Sequence, residues 1–370
     1  MRIAITGARG FMGKNLKVHL GERGYRELID IPHDSDIHQM KALLTDVDFV
    51  FHLAGVNRPQ HTDEFVSGNS QFTESLCAAM AAQPKCPSVA YASSTQAALD
   101  NPYGRSKRAA EDALLAYGRE KSVGAYVFRL TNVFGKWSRP NYNSAVATFC
   151  HNIARDLPIS INDPNAAIRL VYIDDVVASF SGLLSNSNLT TGYCAAGPEY
   201  DVTVGALADT IRGFKQSRET MLTDRVGQGL TRALHSTYVS FLPVESFHYD
   251  VPRHGDPRGV FVEMLKTPDC GQFSYFTAHP GITRGEHYHH SKTEKFLVIK
   301  GQALFGFRHI VTGETYELTV QGGEGRIVET VPGWTHNITN VGQEEMIVML
   351  WANEIFDRER PDTFAMKVKP

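Results

Sequence analysis

The chain has 370 residues, of which 42% are hydrophobic and 21% charged, a balance typical of a globular protein with roughly two to three domains. It excludes a disordered chain and a disulfide-dense miniprotein, and the net charge of −3 gives no positive field for nucleic acid or an anionic membrane. Five cysteines without a CxxC pair, no signal peptide and no apolar run near the roughly 18 residues of a membrane span predict a reducing, cytoplasmic location.

Strand-like and helix-like segments alternate through the first half of the chain. The predicted strands are Arg2–Thr6, Leu28–Ile31, Phe49–Leu53, Ser88–Ala92 and Ala125–Leu130, and the predicted helices are Gly10–Leu20, Ile37–Leu44, Asn69–Ala82 and Tyr103–Tyr117. Short apolar strands that alternate with amphipathic helices predict a parallel, doubly wound sheet of the α/β class.

The pattern changes near Pro243, where glycine, proline and histidine become frequent. Eight of the 15 histidines lie from His248 onward. Short β-rich runs follow, at Phe296–Ile299, Leu304–Phe307, Tyr316–Val320 and Met346–Trp351. These runs predict a small all-β barrel or sandwich. With a linker at 241–246, we expect an N-terminal domain over 1–243, including a small substrate lobe, and a β domain over 244–370.

A glycine-rich turn follows the first predicted strand. Residues 7–13 read GARGFMG and lead into a helix. Glycines permit a tight turn and close approach to a pyrophosphate, and the helix N-terminus offers amide donors to the phosphates. This strand–turn–helix context predicts a dinucleotide site of the Rossmann type. The expected cofactor contacts are Gly7, Arg9, Gly10, Phe11, Met12 and Gly13.

Further motifs follow in a fixed order. They are DFVFHLAG at 48–55, Asn69, Ser93–Thr95, YGRSK at 103–107 and RLTNVFG at 129–135. With the GxxGxxG spacing, they resemble the extended short-chain dehydrogenase/reductase family over about residues 1–240. The resemblance implies that Leu53, Ala54 and Gly55 line the cofactor, that Asn69 bends a helix, and that Tyr103 and Lys107 form the catalytic YxxxK.

The YxxxK spacing suits proton transfer. Tyr103 and Lys107 are four residues apart and share one helix face. A free tyrosine has a pKa near 10, and a neighbouring ammonium together with a positive nicotinamide would lower it. Tyr103 would then exchange a proton with a substrate oxygen while hydride moves at carbon. Thr95 would hydrogen-bond that oxygen, with Ser94 as the alternative because only seven residues separate Thr95 from Tyr103.

Two positions bear on the reaction and the cofactor. Gln96 and Ala97 follow Thr95 where dehydratases of the family carry an acidic pair, so a 4,6-dehydratase is not expected. Asp30, after the second strand, would bind the ribose hydroxyl of NAD. Arg9 and His33 would instead neutralise a 2′-phosphate. We favour NADPH, because a buried phosphate needs cations.

Substrate contacts are expected from segments that resemble those of sugar-nucleotide enzymes. The segments are Asn132, NYNS at 141–144 and RLVYIDD at 169–175. The resemblance implies contacts from Asn132, Asn141, Asn143 and Arg169, with Arg169 on the diphosphate. Asp174 and Asp175 equally suit a helix cap.

A histidine motif dominates the second half. Residues 281–301 fit the first cupin motif, G(x)5HxH(x)4E(x)6G, and residues 332–340 resemble PG(x)2H(x)3N with one residue fewer between proline and glycine. His287 and His289 are two apart and project to one face of a strand. The predicted metal ligands are His287, His289, Glu294 and His336, with zinc favoured over iron or manganese.

A competing resemblance lies in the same stretch. Residues 256–261 (DPRGVF) and 284–288 (RGEHY) are similar to metal-free nucleotide-sugar 3,5-epimerases, in which the histidine matching His287 is the base. That signature lacks the second histidine and the glutamate, so we favour a metal. A ligated His287 cannot also be the base, which leaves His290, Tyr288 and Lys295 as candidates.

The two halves together resemble bifunctional enzymes of capsular polysaccharide and O-antigen biosynthesis. The matching segments are 52–59 (HLAGVNRP), 101–107, 134–137 (FGKW), 141–144, 215–218 (KQSR) and 294–298 (EKFLV). The resemblance implies a homodimer that epimerises carbon 3 of a UDP-4-keto-6-deoxy-N-acetylhexosamine in the cupin and then reduces carbon 4 with NADPH. The product would be UDP-2-acetamido-2,6-dideoxy-L-talose, on the route to UDP-N-acetyl-L-fucosamine. The alternatives are a non-catalytic, metal-stapled cupin for binding or dimerisation, or a 4-epimerase with bound NAD.

Overall fold

The computed structural model describes residues 1–185, 190–256, 259–262, 265, 267, 271–354, 357 and 359–370, with the backbone alone at 253–256, 259–262 and 272. The chain divides into two compact units. The first consists of Met1–Val133 and Arg169–Asp201, and the second of Phe134–Ile168 and Val202–Pro370.

Strands and helices alternate up to residue 203. The strands are β1 (Arg2–Thr6), β2 (Glu27–Ile31), β3 (Phe49–His52), β4 (Ser88–Ser94), β5 (Ala125–Leu130), β6 (Asn132–Phe134), β7 (Ala167–Tyr172), β8 (Gly192–Cys194) and β9 (Glu199–Thr203). The helices are α1 (Phe11–Glu22), α2 (Ile37–Leu43), α3 (Asp63–Phe65), α4 (Phe72–Ala81), α5 (Pro102–Lys121), α6 (Ala145–Ala154) and α7 (Ile173–Gly182). A π-helical turn (Val66–Gln71) precedes α4, and a 3-10 turn (Thr95–Ala98) follows β4.

The first unit contains a parallel sheet in the order β2-β1-β3-β4-β5-β8. Strand order reverses at β1, so the loops after β1 and β3 leave from the same carboxyl edge, where open α/β sheets bind ligands. Leu76 of α4 and Leu114 of α5 are fully buried against one face of this sheet. The predicted doubly wound parallel fold is confirmed. The predicted helix from Asn69 differs at its start, because α4 begins at Phe72 after the π-helical turn.

From residue 204 onward, two helices lead into strands. The helices are α8 (Val204–Thr220) and α9 (Gly229–Ser240), and a 3-10 turn covers Val244–Ser246. The strands are β10 (His248–Asp250), β11 (Arg253–Asp256), β12 (Gly259–Val262), β13 (Gln272–Ala278), β14 (Thr283–Tyr288), β15 (Glu294–Lys300), β16 (Gln302–His309), β17 (Thr315–Gln321), β18 (Arg326–Glu329), β19 (Trp334–Asn340), β20 (Met346–Ala352) and β21 (Phe364–Ala365).

The strands of the second unit form two five-stranded sheets and one hairpin. The sheet orders are β10-β18-β15-β20-β13 and β17-β16-β19-β14-β21, and β11 pairs with β12. Every pairing with a described register in this unit is antiparallel. Phe296 and Phe305 pack together across the core at a ring distance of 5.8 Å. The predicted all-β, jelly-roll class of this part is confirmed.

The helices α6, α8 and α9 belong to the same compact unit as the barrel. In α9, Ser236 Oγ donates a hydrogen bond to the Ser291 carbonyl at 2.6 Å. The predicted linker is packed as well, since Leu242 and Phe247 are buried. Contacts therefore group α6, α8 and α9 with the barrel. The domain division at 243/244 stays a prediction from the sequence.

Two further features concern the described residues only. Cys77, Cys86, Cys150 and Cys194 are free thiols, and Cys270 lies outside the described residues. None of the helices described here is long and apolar enough to cross a bilayer.

Candidate functional site

The glycine turn after β1 closes against the backbone of β3. Gly7 has a left-handed φ of +67°, and a Cβ on it would lie 2.8 Å from the Ala54 nitrogen. A Cβ on Gly13 would lie 2.3 Å from the Gly7 carbonyl oxygen. Helix α1 begins behind Gly10, and no side chain caps its first amides. The turn is thus thin and presents unpaired amides, a geometry that fits a dinucleotide diphosphate.

Three of the predicted motifs meet beside this turn. A Cβ on Gly55 would lie 2.8 Å from Asn69 Oδ1 and 3.0 Å from Lys107 Nζ. Asn69 accepts a hydrogen bond from the Val56 amide at 2.8 Å and donates to Ser106 Oγ at 3.0 Å. The asparagine in the π-helical turn therefore ties the loop after β3 to helix α5. A methyl group at position 55 would displace the Asn69 amide or the Lys107 ammonium.

Tyr103 and Lys107 lie on one face of α5, as their spacing predicts. Lys107 is buried, its Nζ donates to the Ala92 carbonyl at 3.1 Å, and it lies 6.0 Å from the centre of the Tyr103 ring. The side chain of Ser94, at the end of β4, hydrogen-bonds Tyr103. Thr95 opens the 3-10 turn and is exposed. The structure thus brings Ser94 to the tyrosine, because the short loop between β4 and α5 turns at Thr95.

Burial governs the protonation of this pair. It raises the pKa of Tyr103, and the hydrogen bond with Ser94 lowers that pKa in part. It also lowers the pKa of Lys107 to about 8, while the negative charge of Glu111 acts to raise it. The lowered tyrosine pKa expected from the sequence stays a prediction for the state with a positive nicotinamide beside the phenol.

Sequence reasoning missed Glu111. This carboxylate is fully buried and accepts hydrogen bonds from Ser93 Oγ at 2.5 Å, from Arg129 Nη2 at 2.6 Å and from the Tyr193 hydroxyl at 3.0 Å. Its only signal in the sequence is the spacing of four residues that it shares with Tyr103 and Lys107.

The residues expected to select the cofactor lie on and after β2 and in the glycine turn. Asp30 forms an ion pair with Lys17 of α1 at 2.8 Å. His33 is exposed and stacks on Phe72 with a ring distance of 5.0 Å. Arg9 is exposed in the glycine turn. The cations proposed for a 2′-phosphate are therefore open to solvent, whereas the acidic residue is already neutralised.

Two of the four predicted substrate residues meet in the first unit. Asn132 Nδ2 donates to the Arg169 carbonyl at 2.9 Å, and the Arg169 guanidinium pairs with Asp201 at 2.8 Å. Arg169 Nη1 also lies 3.9 Å from Glu199, which lines a cavity of about 810 Å³ in the same unit. Asn141 and Asn143 are exposed in the second unit, where Asn141 adopts a left-handed φ of +53°.

The second unit assembles the predicted metal ligands. One ligand atom from each of His287, His289, Glu294 and His336 lies within 4.8 Å of the others. His287 on β14 pairs with His336 on β19, whereas Glu294 begins β15 in the facing sheet. The site therefore lies between the two sheets of the barrel, where side chains from both converge.

Backbone carbonyls orient two of the imidazoles. His287 Nδ1 lies 3.1 Å from the Gly285 carbonyl, and His289 Nδ1 lies 2.5 Å from the Asp362 carbonyl. A ring that donates Nδ1–H in this way presents Nε2 to a metal. The Asp362 carboxylate also accepts hydrogen bonds from the backbone amides of 290–292. Asp362, in the C-terminal tail, is a second residue that local motif reasoning missed.

The charge states of the four side chains suit a divalent metal. Burial alone would raise the pKa of Glu294, but the imidazoles of His289 and His336 hold it well below its usual range. Burial and the other histidines lower the pKa of His287 to about 3. A buried carboxylate beside three imidazole rings is a donor set that zinc binds, so the residues fit the metal.

The candidate bases do not face this ligand set. Tyr288 and His290 alternate with the ligands and pack on each other and on Phe364, at ring distances between 5.0 and 5.7 Å. Lys295 follows the ligand Glu294 on a strand and so points to the opposite face. Its Nζ binds Glu329 at 2.7 Å. The prediction that one of these three residues reaches a substrate beside the metal is not supported by their orientation.

The turn before β19, the strand that carries His336, is braced by Trp137. Trp137 has a left-handed φ of +68°, which is rare for a bulky residue. Gly333 has a φ of +83°, and a Cβ on it would lie 2.9 Å from the Trp137 ring. The shortened proline–glycine spacing of this motif thus places a bare backbone under the indole, three residues before the ligand.

Family profiles match both parts of the chain. Residues 3–192 match the NAD dependent epimerase/dehydratase family, and residues 254–364 match the polysaccharide biosynthesis C-terminal domain.

Individual relatives match the full length. A Pseudomonas aeruginosa protein named UDP-2-acetamido-2,6-beta-L-arabino-hexul-4-ose reductase is 58% identical over 100% of this chain and 99% of its own. The crystal structure of the capsular polysaccharide assembling protein CapF from Staphylococcus aureus is 40% identical and covers 99% of this chain and 100% of its own, with a TM-score of 0.68. The resemblance to enzymes of capsular polysaccharide biosynthesis is confirmed. A Bacillus cereus UDP-glucuronic acid 4-epimerase with NAD shares the fold at 20% identity, over 58% of this chain and 84% of its own, with a TM-score of 0.53.

Proposed function

The chain belongs to the NAD dependent epimerase/dehydratase family, and on this premise we propose that it is a bifunctional enzyme of a UDP-linked keto sugar. The barrel epimerises carbon 3 of a UDP-4-keto-6-deoxy-N-acetylhexosamine. The first domain then reduces the 4-keto group with NADPH to UDP-2-acetamido-2,6-dideoxy-L-talose, on the route to UDP-N-acetyl-L-fucosamine for capsule or O-antigen. The observation that carries the proposal is one chain with both a Ser94–Tyr103–Lys107 site and a three-histidine, one-glutamate cluster.

The reductase step follows from the residues at the end of β4 and on α5. When bound, the reduced nicotinamide supplies the hydride for carbon 4. Tyr103 donates a proton to the substrate oxygen, and the Ser94 hydroxyl, which already bonds the phenol, holds that oxygen in place. Lys107, buried below the ring, orients the cofactor ribose and supports the phenolate with its charge. The proton donor and the hydride donor thus act on the oxygen and the carbon of one carbonyl group.

The preference for NADPH is supported by side chains in the glycine turn and on and after β2. The Asp30 carboxylate is paired with Lys17, which reduces its capacity to accept a ribose hydroxyl. Arg9 and His33 are exposed and available to a 2′-phosphate. We expect NADPH to bind more tightly than NADH by at least about tenfold, the effect of one charge-assisted contact.

The epimerisation step must precede reduction. A proton on carbon 3 is acidified only while carbon 4 is a ketone, so reduction makes the inversion irreversible. The ligand set in the barrel would hold a divalent metal that polarises a carbonyl. His287 is half-buried whereas the other three residues of the set are buried, so it would contact the substrate first.

The orientation of Tyr288, His290 and Lys295 favours a second candidate for the barrel. Without one of these bases beside the metal, the barrel would be a metal-stapled module for binding or dimerisation, and only the reductase step would remain. We also propose that the chain acts as a homodimer in the cytoplasm, on its family resemblance and on the location of nucleotide sugars and NADPH. Light scattering on the purified protein tests the homodimer.

The experiment uses the full chain, the keto sugar nucleotide and NADPH. Tyr103→Phe should lower NADPH oxidation by about 100-fold or more, because the proton donor is lost, while deuterium exchange at carbon 3 continues. Tyr275→Phe is the matched control, since Tyr275 is 73% exposed, and it should leave both rates unchanged.

Three outcomes separate the candidates. Persistent NADPH oxidation in Tyr103→Phe would show the Tyr103 assignment to be wrong. If the wild type shows no deuterium exchange at carbon 3 in the absence of NADPH, the barrel is a non-catalytic module. Interconversion of sugars without net oxidation of added NADPH would indicate a 4-epimerase.

A further inference from the structure

Glu111 continues the row that Tyr103 and Lys107 begin. The three residues are spaced by four on α5, and residues at this spacing lie one above the other on a helix. Tyr103 and Lys107 serve the reaction proposed above, whereas Glu111 has no part in it. It is nevertheless fully buried, and a buried carboxylate is retained at a cost unless it is well paired.

The Glu111 carboxylate joins three strands of the parallel sheet to α5. Ser93 of β4 donates its hydroxyl to Oε1 at 2.5 Å, and Tyr193 of β8 donates to Oε2 at 3.0 Å. Arg129 of β5 donates from Nε to Oε1 at 3.0 Å and from Nη2 to Oε2 at 2.6 Å. Ser93 directly precedes Ser94, so this bridge fixes the strand end that presents a hydroxyl to Tyr103.

The same bridge reaches the cavity of the first unit that Glu199 lines. Arg129 and Tyr193 both line the cavity of about 810 Å³, and their side chains stack at 4.6 Å. One buried carboxylate therefore connects a wall of this cavity with the helix that carries Tyr103 and Lys107.

Several titratable groups face Lys107. The Tyr91 ring of β4 lies 4.8 Å from its Nζ, and the Tyr103 ring lies 6.0 Å away. His52 of β3 is buried and neutral, and its pKa is lowered in part by the charge of Lys107. Glu111 is the acidic group that opposes the effect of burial on Lys107. The neighbours on the strands are aromatic or neutral, so the compensating negative charge comes from α5 itself.

We propose that Glu111 is a positioning residue of the reductase site, which fixes the end of β4, and with it Ser94, against the helix face that carries Tyr103 and Lys107. This inference rests on the proposed reductase function. It assigns to Glu111 a role in proton transfer in addition to a role in folding.

The test is the pH profile of NADPH oxidation by the full-length Glu111→Gln variant with the keto sugar nucleotide. The amide keeps an acceptor for Ser93 but removes the charge. With the pKa of Lys107 at about 8 in the presence of Glu111, loss of that charge lowers this pKa further. The alkaline limb should therefore move to lower pH by about half a unit or more. Asp112→Asn removes a charge from the neighbouring exposed position and should leave the limb in place.

A double variant separates charge from folding. Glu111→Gln alone leaves Arg129 without its carboxylate, so loss of stability would be expected from that alone. In Glu111→Gln/Arg129→Gln both charges are gone, and stability measured by urea unfolding should recover in part. The Arg129 guanidinium pairs with the same carboxylate, so its loss partly offsets the lost negative charge, and the alkaline limb should lie between those of Glu111→Gln and the wild type.

The outcomes distinguish this inference from the proposed function. If Tyr103→Phe abolishes NADPH oxidation but Glu111→Gln and Asp112→Asn share the wild-type limb, the role of Glu111 is overturned and the reductase stands. If Tyr103→Phe retains oxidation, the reductase assignment itself fails.

Discussion

The two units form their candidate sites from different chemical groups, with backbone groups prominent in the first and side chains in the second. In the first, a bare glycine backbone at the carboxyl edge of a parallel sheet forms the binding surface, and one helix face adds Tyr103 and Lys107. In the second, the site consists of imidazole and carboxylate side chains that converge from two antiparallel sheets. The first site should therefore be sensitive to an added methyl group, and the second to a removed donor atom.

The largest expected effect is the loss of one donor from the barrel. His336→Ala removes a ligand atom from the buried set, so metal affinity should fall by more than about 100-fold, the upper end for loss of an outer partner alone. Elemental analysis of the purified variant checks this. His279→Ala is the control, because His279 is 81% exposed. Equal metal content in both variants would contradict the ligand assignment.

A second substitution asks whether Lys295 belongs to the chemistry or to the packing of the barrel. Lys295→Met leaves the buried carboxylate of Glu329 without its closest cation, so the free energy of unfolding should fall by about 3–5 kcal/mol in urea titrations. Deuterium exchange at carbon 3, per folded molecule, should be unchanged.

Lys300→Met is the control on the same strand. Lys300 is half exposed and pairs with Glu344 on the surface, so the cost should stay below about 1 kcal/mol. Loss of exchange in folded Lys295→Met protein would restore Lys295 as a candidate base.

A third substitution tests the sensitivity of the first site to an added methyl group. Gly13→Ala places a Cβ against the Gly7 carbonyl, and the turn must open, so NADPH affinity should fall by about 100-fold. Fluorescence titration of NADPH measures it. Gly21→Ala lies in the same helix with no atom within 4 Å of the new Cβ and should bind NADPH normally. If both variants bound alike, the glycine turn would not be the cofactor site.

The smallest expected effect is a pH dependence of stability that both units should show, so it does not distinguish them. His52 is buried between Thr6 Oγ1 at 2.7 Å and Thr73 Oγ1 at 2.8 Å, and burial lowers its pKa to about 3. Below its unfolded pKa of about 6.5, the unfolded chain binds the extra proton and the folded chain does not. The free energy of unfolding should therefore decrease as the pH is lowered, by about 2 kcal/mol from this group between pH 7 and pH 5.

Urea unfolding at the two pH values tests the sign. His52→Asn should lose part of this dependence, and so should His235→Asn in the second unit, where burial lowers the pKa to about 4. A slope that neither variant changes would show that these histidines are protonated in the folded chain.

Local spacing was sufficient for much of both sites. The Tyr103–Lys107 pair and the predicted ligands His287 and His289 follow from the short spacings of a helix and a strand, whereas the glycine turn, Glu294 and His336 follow from longer motifs. Side chains alternate between the two faces of a strand. The same spacing therefore also predicts that His290 and Lys295 point away from the face of the neighbouring predicted ligands.

Partners from distant segments were beyond prediction. Glu111 is paired by strands β5 and β8, and the backbone of Asp362 orients His289 from more than seventy residues away. That Ser94 rather than Thr95 lies beside Tyr103 depends on where β4 ends, a boundary that residue patterns do not define to one position.

The packing of Trp137 over Gly333 has a practical consequence for dissecting the chain. Truncation at residue 244 would uncover the glycine loop, and it would also strip Arg218 from the buried pair of Lys295 and Glu329. A fragment cut there would expose fresh apolar surface and unmatched charge, and we expect it to aggregate during expression. The barrel is therefore not an independent fragment. Transfer of its candidate metal site into another protein would require residues 134–168 and 202–243 as well.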